Sequence, residues 1–145
     1  MTPHKLYNMN LKADPNFSLC HTGSIGTYFH MVWECPGVAY FWEVVRNSMS
    51  NLLSCDIPLS PLVLILDDVS QLKCRKMQKR VFLAGLTAAK KMVRWKPPHL
   101  SHRQWVLTFI DVAYLELSTA RMHNAKEETI ELWNRTVSDL KALLV

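Results

Sequence analysis

The sequence predicts a mostly α fold: an irregular N-terminal segment over residues 1–37, then a compact bundle of about four helices over residues 38–145 that folds as one unit. Three observations carry this. From Val38 onward apolar residues recur at three and four rather than at two. Prolines and capping signatures cut that pattern into helix-length pieces. Three of the four glycines, with Pro3, Pro15 and Pro36, fall within residues 1–37 and read as turns and loops. A chain of 145 residues, 49% of them hydrophobic, can bury one core without disulfides.

The first helix follows Pro36-Gly37 and runs from Val38 to about Leu53, with Val38, Phe41, Trp42, Val45, Met49, Leu52 and Leu53 on its apolar face. Pro58 and Pro61 then lead into LVLIL (62–66), whose length fits either a strand or a buried helical turn, closed by Asp67-Asp68. A second long helix is expected from about Gln71 to Trp95, ending before Pro97-Pro98 because a residue preceding proline avoids the helical region. At 100° per residue it is two-sided. Met77, Val81, Ala84, Ala88 and Met92 share one face, Lys76, Lys79, Lys90 and Arg94 gather opposite, and Arg75 and Arg80 stand at the edges. Ser101 with Gln104 reads as a capping box for a helix to about Met122, apolar nearly all round and therefore expected to be the most buried. Asn124 with Glu127 repeats the signal for a last helix to about Leu144, striped by Ile130, Trp133, Val137, Leu140 and Leu144.

Charge is where the sequence speaks to function. The block Lys73–Arg103 holds ten of the seventeen Lys and Arg residues and no acidic residue, while three basic against six acidic residues precede it and four against six follow. The net charge of +5 thus conceals a +10 centre, the footprint expected where a polyanion binds. Arg75, Lys76, Lys79, Arg80, Lys90, Lys91, Arg94, Lys96 and Arg103 are the candidate phosphate contacts. Trp95, between Arg94 and Lys96, is placed to stack on an unpaired base or to anchor the core edge; the first use favours RNA or single-stranded DNA over duplex.

Four cysteines (Cys20, Cys35, Cys55, Cys74) are too scattered for a disulfide scaffold, and the opening residues carry no apolar signal segment, so an intracellular protein of cytoplasm or nucleus is expected. The longest aliphatic run, Leu62–Leu66, falls far short of the roughly 20 residues that cross a bilayer, so no membrane partner is expected. Cys20, His30 and Cys35 have zinc-ligand chemistry and a knuckle-like gap, but Phe17 stands where a second thiolate belongs and leaves the set incomplete. Zinc on these three residues is one reading. The other, which we favour, is a hydrophobic plug of Phe17, Phe29 and Trp33 with Cys20 and Cys35 as small apolar residues and no cofactor.

The succession TPHKL, C-x9-H-x4-C-P, FW, AAKKMVRWKPP, RQWVLTFIDVAYLE and a Trp in the last helix resembles, over essentially the whole chain, the carboxy-terminal region of LINE-type non-LTR retrotransposon reverse transcriptases. The family's knuckle is C-x2-C-x7-8-H-x4-C, so the resemblance assigns Cys20, His30 and Cys35 to its last three positions and leaves its first to Phe17. It implies a non-catalytic accessory region that holds nucleic acid beside a polymerase, with a reverse-transcriptase body as a further partner. The opening at MTPHKL reads as the tail of a longer reading frame, which leaves open a degenerate fragment with no function of its own.

Enzymatic readings are weak, and no enzyme is expected. Asp67-Asp68 lacks the Tyr-x pattern and third carboxylate of a polymerase site and reads as a solvated cap. Cys74, among Lys73, Arg75 and Lys76, is placed for a lowered thiol pKa but has no base. His99 and His102 read as turn and cap residues, and Glu116, on the face of Trp105, Phe109 and Val112, as a helix-edge residue or, the reading we favour, one paired with an inward Arg. The alternative to nucleic-acid binding is a helical protein-interaction module whose apolar patch would draw on Trp33, Trp42, Trp133 and the methionines, although their helical spacing fits core positions better.

Overall fold

The structure, a computed structural model, describes residues 30–95 and 100–145; for His30, Met31 and Trp95 only the backbone is described. Cys20, Phe17, Phe29, Lys96 and His99 lie outside the described residues, as does most of the segment expected to be irregular. The fold is mostly α, and the described residues contain no strand. A π-helical turn, His30–Glu34, precedes α1 (Pro36–Leu53); α2 (Pro61–Leu64) is one turn; α3 (Lys76–Trp95), α4 (His102–Met122) and α5 (Glu127–Ala142) complete the bundle. No helix among the described residues is long and apolar enough to cross a membrane.

The end of the expected irregular segment is therefore helical and part of the same core. Val32 and Cys35 are buried in it, the Trp42 indole N–H donates to Val32 O at 2.5 Å, and Trp33 tilts against Trp42 with centroids 6.1 Å apart. Pro36 opens α1 at a position where its missing N–H costs nothing. The helix buries Val38, Phe41, Trp42, Val45, Met49 and Leu53 as its spacing predicts. It stops at Ser54, which takes the left-handed conformation (φ 53°) while Cys55 N–H reaches Ser50 O at 3.2 Å.

LVLIL resolves as a helical turn. Ser60 Oγ accepts from Leu62 N–H (3.3 Å), Pro61 supplies a preset φ, and Asp67 (φ 59°) ends the segment in the left-handed region that Asp tolerates. Val63 and Leu64 go inward while Leu62 and Leu66 stay exposed.

The basic helix begins at Lys76, five residues later than its periodicity predicts. Lys79 N–H bonds to Arg75 O, and Gln78 Oε1 reaches back to Arg75 N–H at 3.0 Å, the returning half of a capping box. Gln78 Nε2 also donates to Leu53 O (3.0 Å), so one amide fixes both the start of α3 and its seat on the end of α1.

α3, rather than α4, is the central element, packing against the π turn, α1, α4 and α5. Its buried arc takes in Phe82, Gly85, Leu86, Ala89 and Val93 beyond the residues its apolar stripe predicted. Gly85 marks a close approach of α3 to α1 and α4. A Cβ there would stand 2.8 Å from both Met49 Sδ and Phe109 Cε2, and the bare backbone lets Trp105 Nε1 donate to Gly85 O at 3.0 Å.

α4 has the predicted cap, Ser101 Oγ accepting from Gln104 N–H at 3.1 Å, but only one buried face. Leu107, Tyr114, Leu115 and Met122 are exposed, so the expectation that it is the most buried helix is corrected: no element covers its outer side among the described residues. The Asn124/Glu127 box is also corrected. Asn124 (φ 50°) terminates α4 instead, with Ala125 N–H on Ala120 O and Asn124 N–H on Arg121 O in the Schellman pattern, and α5 starts after Lys126 without a side-chain cap. The α5 stripe buries Trp133, Val137 and Leu140 and half-buries Ile130 and Leu144. His102, read from sequence as a turn or cap residue, is the first residue of α4 and bridges to α1 through Ser48 Oγ (2.8 Å).

Candidate nucleic-acid interface

Eight residues share the outward arc of α3: Lys76, Lys79, Arg80, Leu83, Thr87, Lys90, Lys91 and Arg94 lie within about 120° of one another, over about 27 Å of helix. Lys76, Arg80, Lys91 and Arg94 are exposed and have no ion-pair partner among the described residues; Lys79 is half-buried. Three of these cations sit in the first turn and a half of α3, with Arg75 immediately before it and no acidic residue in the first turn. That order opposes the helix dipole, whose positive end favours anions by about 0.3–1 kcal/mol each. The spacings 76/79/80 and 90/91/94 bring like charges together at i+3 and i+4, a repulsion of about 0.2–0.5 kcal/mol per pair. The helix forms because its opposite face is buried, and the repulsion remains on its surface for an anion to relieve.

Two acids from other elements flank the stripe. Asp67 Oδ1 lies 2.5 Å from Lys90 Nζ, so Asp67 is a charge partner for the helix rather than only a solvated cap, and Lys90 is already neutralised. Asp68, in contrast, is a local cap: it accepts from Ser70 Oγ at 2.6 Å and Ser70 N–H at 3.2 Å, and these bonds hold its carboxyl below the ordinary range. On the far side Glu116 lines two cavities with Arg80 without forming an ion pair. It is exposed at the helix edge, so its expected pairing with an inward Arg is corrected.

The remaining candidates scatter. Arg103 is exposed on α4 and donates to Leu144 O at 3.4 Å, fastening the chain end rather than joining the α3 stripe. Cys35 is buried within the apolar core, and the described residues hold no cluster of three or more metal-ligating side chains. Cys74 behaves oppositely to its basic surroundings in sequence. Burial first, then the neighbouring Cys55 thiol, push it up to about 11, and Lys79 only partly offsets them. A reactive thiolate is therefore not what this position provides. Trp133, Trp42 and Trp105 are buried in the core and supply no exposed aromatic patch.

Two cavities open beside Thr87. One, of about 380 Å³, is lined by Val32, Trp42, Ile65, Thr87, Val93 and the cations Lys90, Lys91 and Arg94. The other, of about 260 Å³, is lined by Arg80, Leu83, Ala84, Thr87, Val112, Glu116 and Trp133. Trp133 Nε1 is buried without a hydrogen-bond partner in the structure. Sequence reading found the cations but not Asp67 or the cavities, because both arise from segments more than twenty residues apart. Comparison with family models, with curated proteins and with solved structures returned no match.

Proposed function

We propose that this chain is a non-catalytic accessory module that binds nucleic acid without sequence preference, laying the sugar-phosphate backbone along the outer face of α3. The observation that carries the reading is the row of cations, Lys76, Arg80, Lys91 and Arg94, that have no ion-pair partner among the described residues, on a helix with no acidic residue of its own. Such a row raises the helix's own energy, and a polyanion relieves it. The resemblance to the carboxy-terminal region of LINE-type reverse transcriptases supports the same reading and adds a polymerase body as a second partner. Nucleic acid in single-stranded form is the favoured ligand, because the sequence sets Trp95 between Arg94 and Lys96, a placement suited to stacking on an unpaired base.

With about five cations engaged, log K should fall with log salt at a slope of about −3 to −4 for single strands. Fluorescence anisotropy of labelled single-stranded RNA and of duplex DNA across a salt series tests this; no binding at low salt overturns it. A second reading, docking of α4 on a protein partner, rests on the exposed Leu107, Tyr114, Leu115 and Met122. It separates cleanly, since an apolar contact persists in salt that abolishes phosphate binding.

A further inference from the structure

We infer that the cavity between the π turn, α1, α3 and Ile65, just after α2, receives one unpaired nucleobase of the bound strand, with Lys91 and Arg94 holding the phosphates beside it. The inference rests on the nucleic-acid reading above and adds a base-binding subsite to it.

The cavity's chemistry is two-sided. Val32, Trp42, Ile65 and Val93 give it apolar walls, while the charged side chains that line it among the described residues, Lys90, Lys91 and Arg94, are cationic. An apolar recess with a cationic rim matches a nucleotide, whose base is flat and weakly solvated and whose phosphate is anionic. A purely apolar ligand leaves the rim cations idle, and a bare anion leaves the walls wet. At about 380 Å³ the cavity sits near the lower end of the roughly 300–1,000 Å³ of small-molecule sites, enough for one base and its sugar.

The rim is asymmetric in a way that fixes the strand's path. Lys90 is paired with Asp67, just after α2, whereas Lys91 and Arg94 are exposed and have no ion-pair partner among the described residues. Phosphates are thus drawn to the Lys91–Arg94 side and kept away from Asp67, so that the base turns inward over Thr87. Thr87 Oγ1 donates to Leu83 O at 2.9 Å, which leaves the hydroxyl oxygen as an acceptor for a base N–H. Only a base already out of a duplex can enter, which makes the subsite a discriminator for single strands.

The test compares a labelled thymidine dodecamer with a dodecamer of abasic sugar-phosphate units, at one low salt concentration, on the wild-type chain and on Thr87→Met. Thr87 is exposed, and a Met there occupies the cavity mouth without adding charge or a ring on which a base could stack. The wild type is expected to bind the thymidine strand at least about fivefold more tightly than the abasic one, the lower end of what contact with one base contributes. Thr87→Met should reduce thymidine binding to the abasic level and leave abasic binding unchanged. Equal binding of both strands by the wild type, or a preference that survives Thr87→Met, overturns the subsite while the phosphate-binding reading stands. Binding of neither strand overturns both.

Discussion

Replacing Asp67 with Asn should make this protein bind single-stranded nucleic acid more tightly. The Asp67 carboxylate lies 2.5 Å from Lys90 Nζ and neutralises one cation at the edge of the α3 stripe. Asn keeps the size of the side chain and tolerates the left-handed backbone at this position (φ 59°), so the turn after α2 is preserved. The freed Lys90 adds one phosphate contact, steepening the salt slope by about 0.7. Extrapolated from 1 M to 0.1 M salt, that is a gain of about fivefold in affinity. The cost is small because both partners are partly solvated, with side chains 31% and 46% exposed. Loss of such a pair is about 0.2–1 kcal/mol, or a Tm lower by no more than about 4 °C. Anisotropy titrations at four salt concentrations measure both quantities, and Asp67→Asn/Lys90→Gln should return affinity and slope to the wild-type values. An unchanged slope for Asp67→Asn, or weaker binding, refutes the argument that Lys90 belongs to the interface.

Two further outcomes follow from the packing. Gly85→Ala should lower Tm by about 2–8 °C in a thermal melt, because the gain in helix propensity of about 1 kcal/mol is outweighed by a methyl placed 2.8 Å from Met49 Sδ and Phe109 Cε2; a raised Tm would mean that α1 and α4 do not converge there. Cys74 should alkylate at least tenfold more slowly than the same thiol in the denatured chain at pH 7.5, read by mass spectrometry after iodoacetamide labelling. Its raised pKa means that the fold favours the neutral thiol. The Cys74 contribution to stability is therefore intact below about 9 and is lost as pH rises toward about 11, and alkylation at the denatured rate would contradict it.

The local signals were the legible ones. The stripe Val38–Leu53, the Ser101 cap with Gln104 and the Trp133–Leu140 face are settled within one or two turns, and each appears as its spacing predicts. Where two elements compete for the same residues, spacing misleads. Asn124 stands three residues before Glu127 and matches a capping box, yet its tolerance of positive φ is used to end α4, and one residue cannot serve both geometries. The apolar circumference of α4 predicts a central helix, but among the described residues no element covers its outer side, and Leu115 and Met122 remain 68% and 81% exposed. The start of α3 depends on Gln78 bridging to Leu53, a contact over 25 residues that periodicity does not encode. The cations of the candidate site were legible as a block, whereas their neutralisation by Asp67 and the cavity beside them exist only once the π turn, α2 and α3 have packed.

The central claim is that one face of α3 holds the nucleic acid, and the most direct measurement compares two variants of equal net charge. Lys91→Glu/Arg94→Glu reverses two exposed cations on the stripe, and Arg121→Glu/Arg135→Glu reverses two exposed cations on α4 and α5. Each changes the charge by the same amount, so long-range attraction falls equally in both. Binding to labelled single-stranded RNA at fixed salt should be abolished in the first and reduced only modestly in the second. Equal losses in the two variants, or a greater loss in the second, would contradict the assignment of the interface to α3.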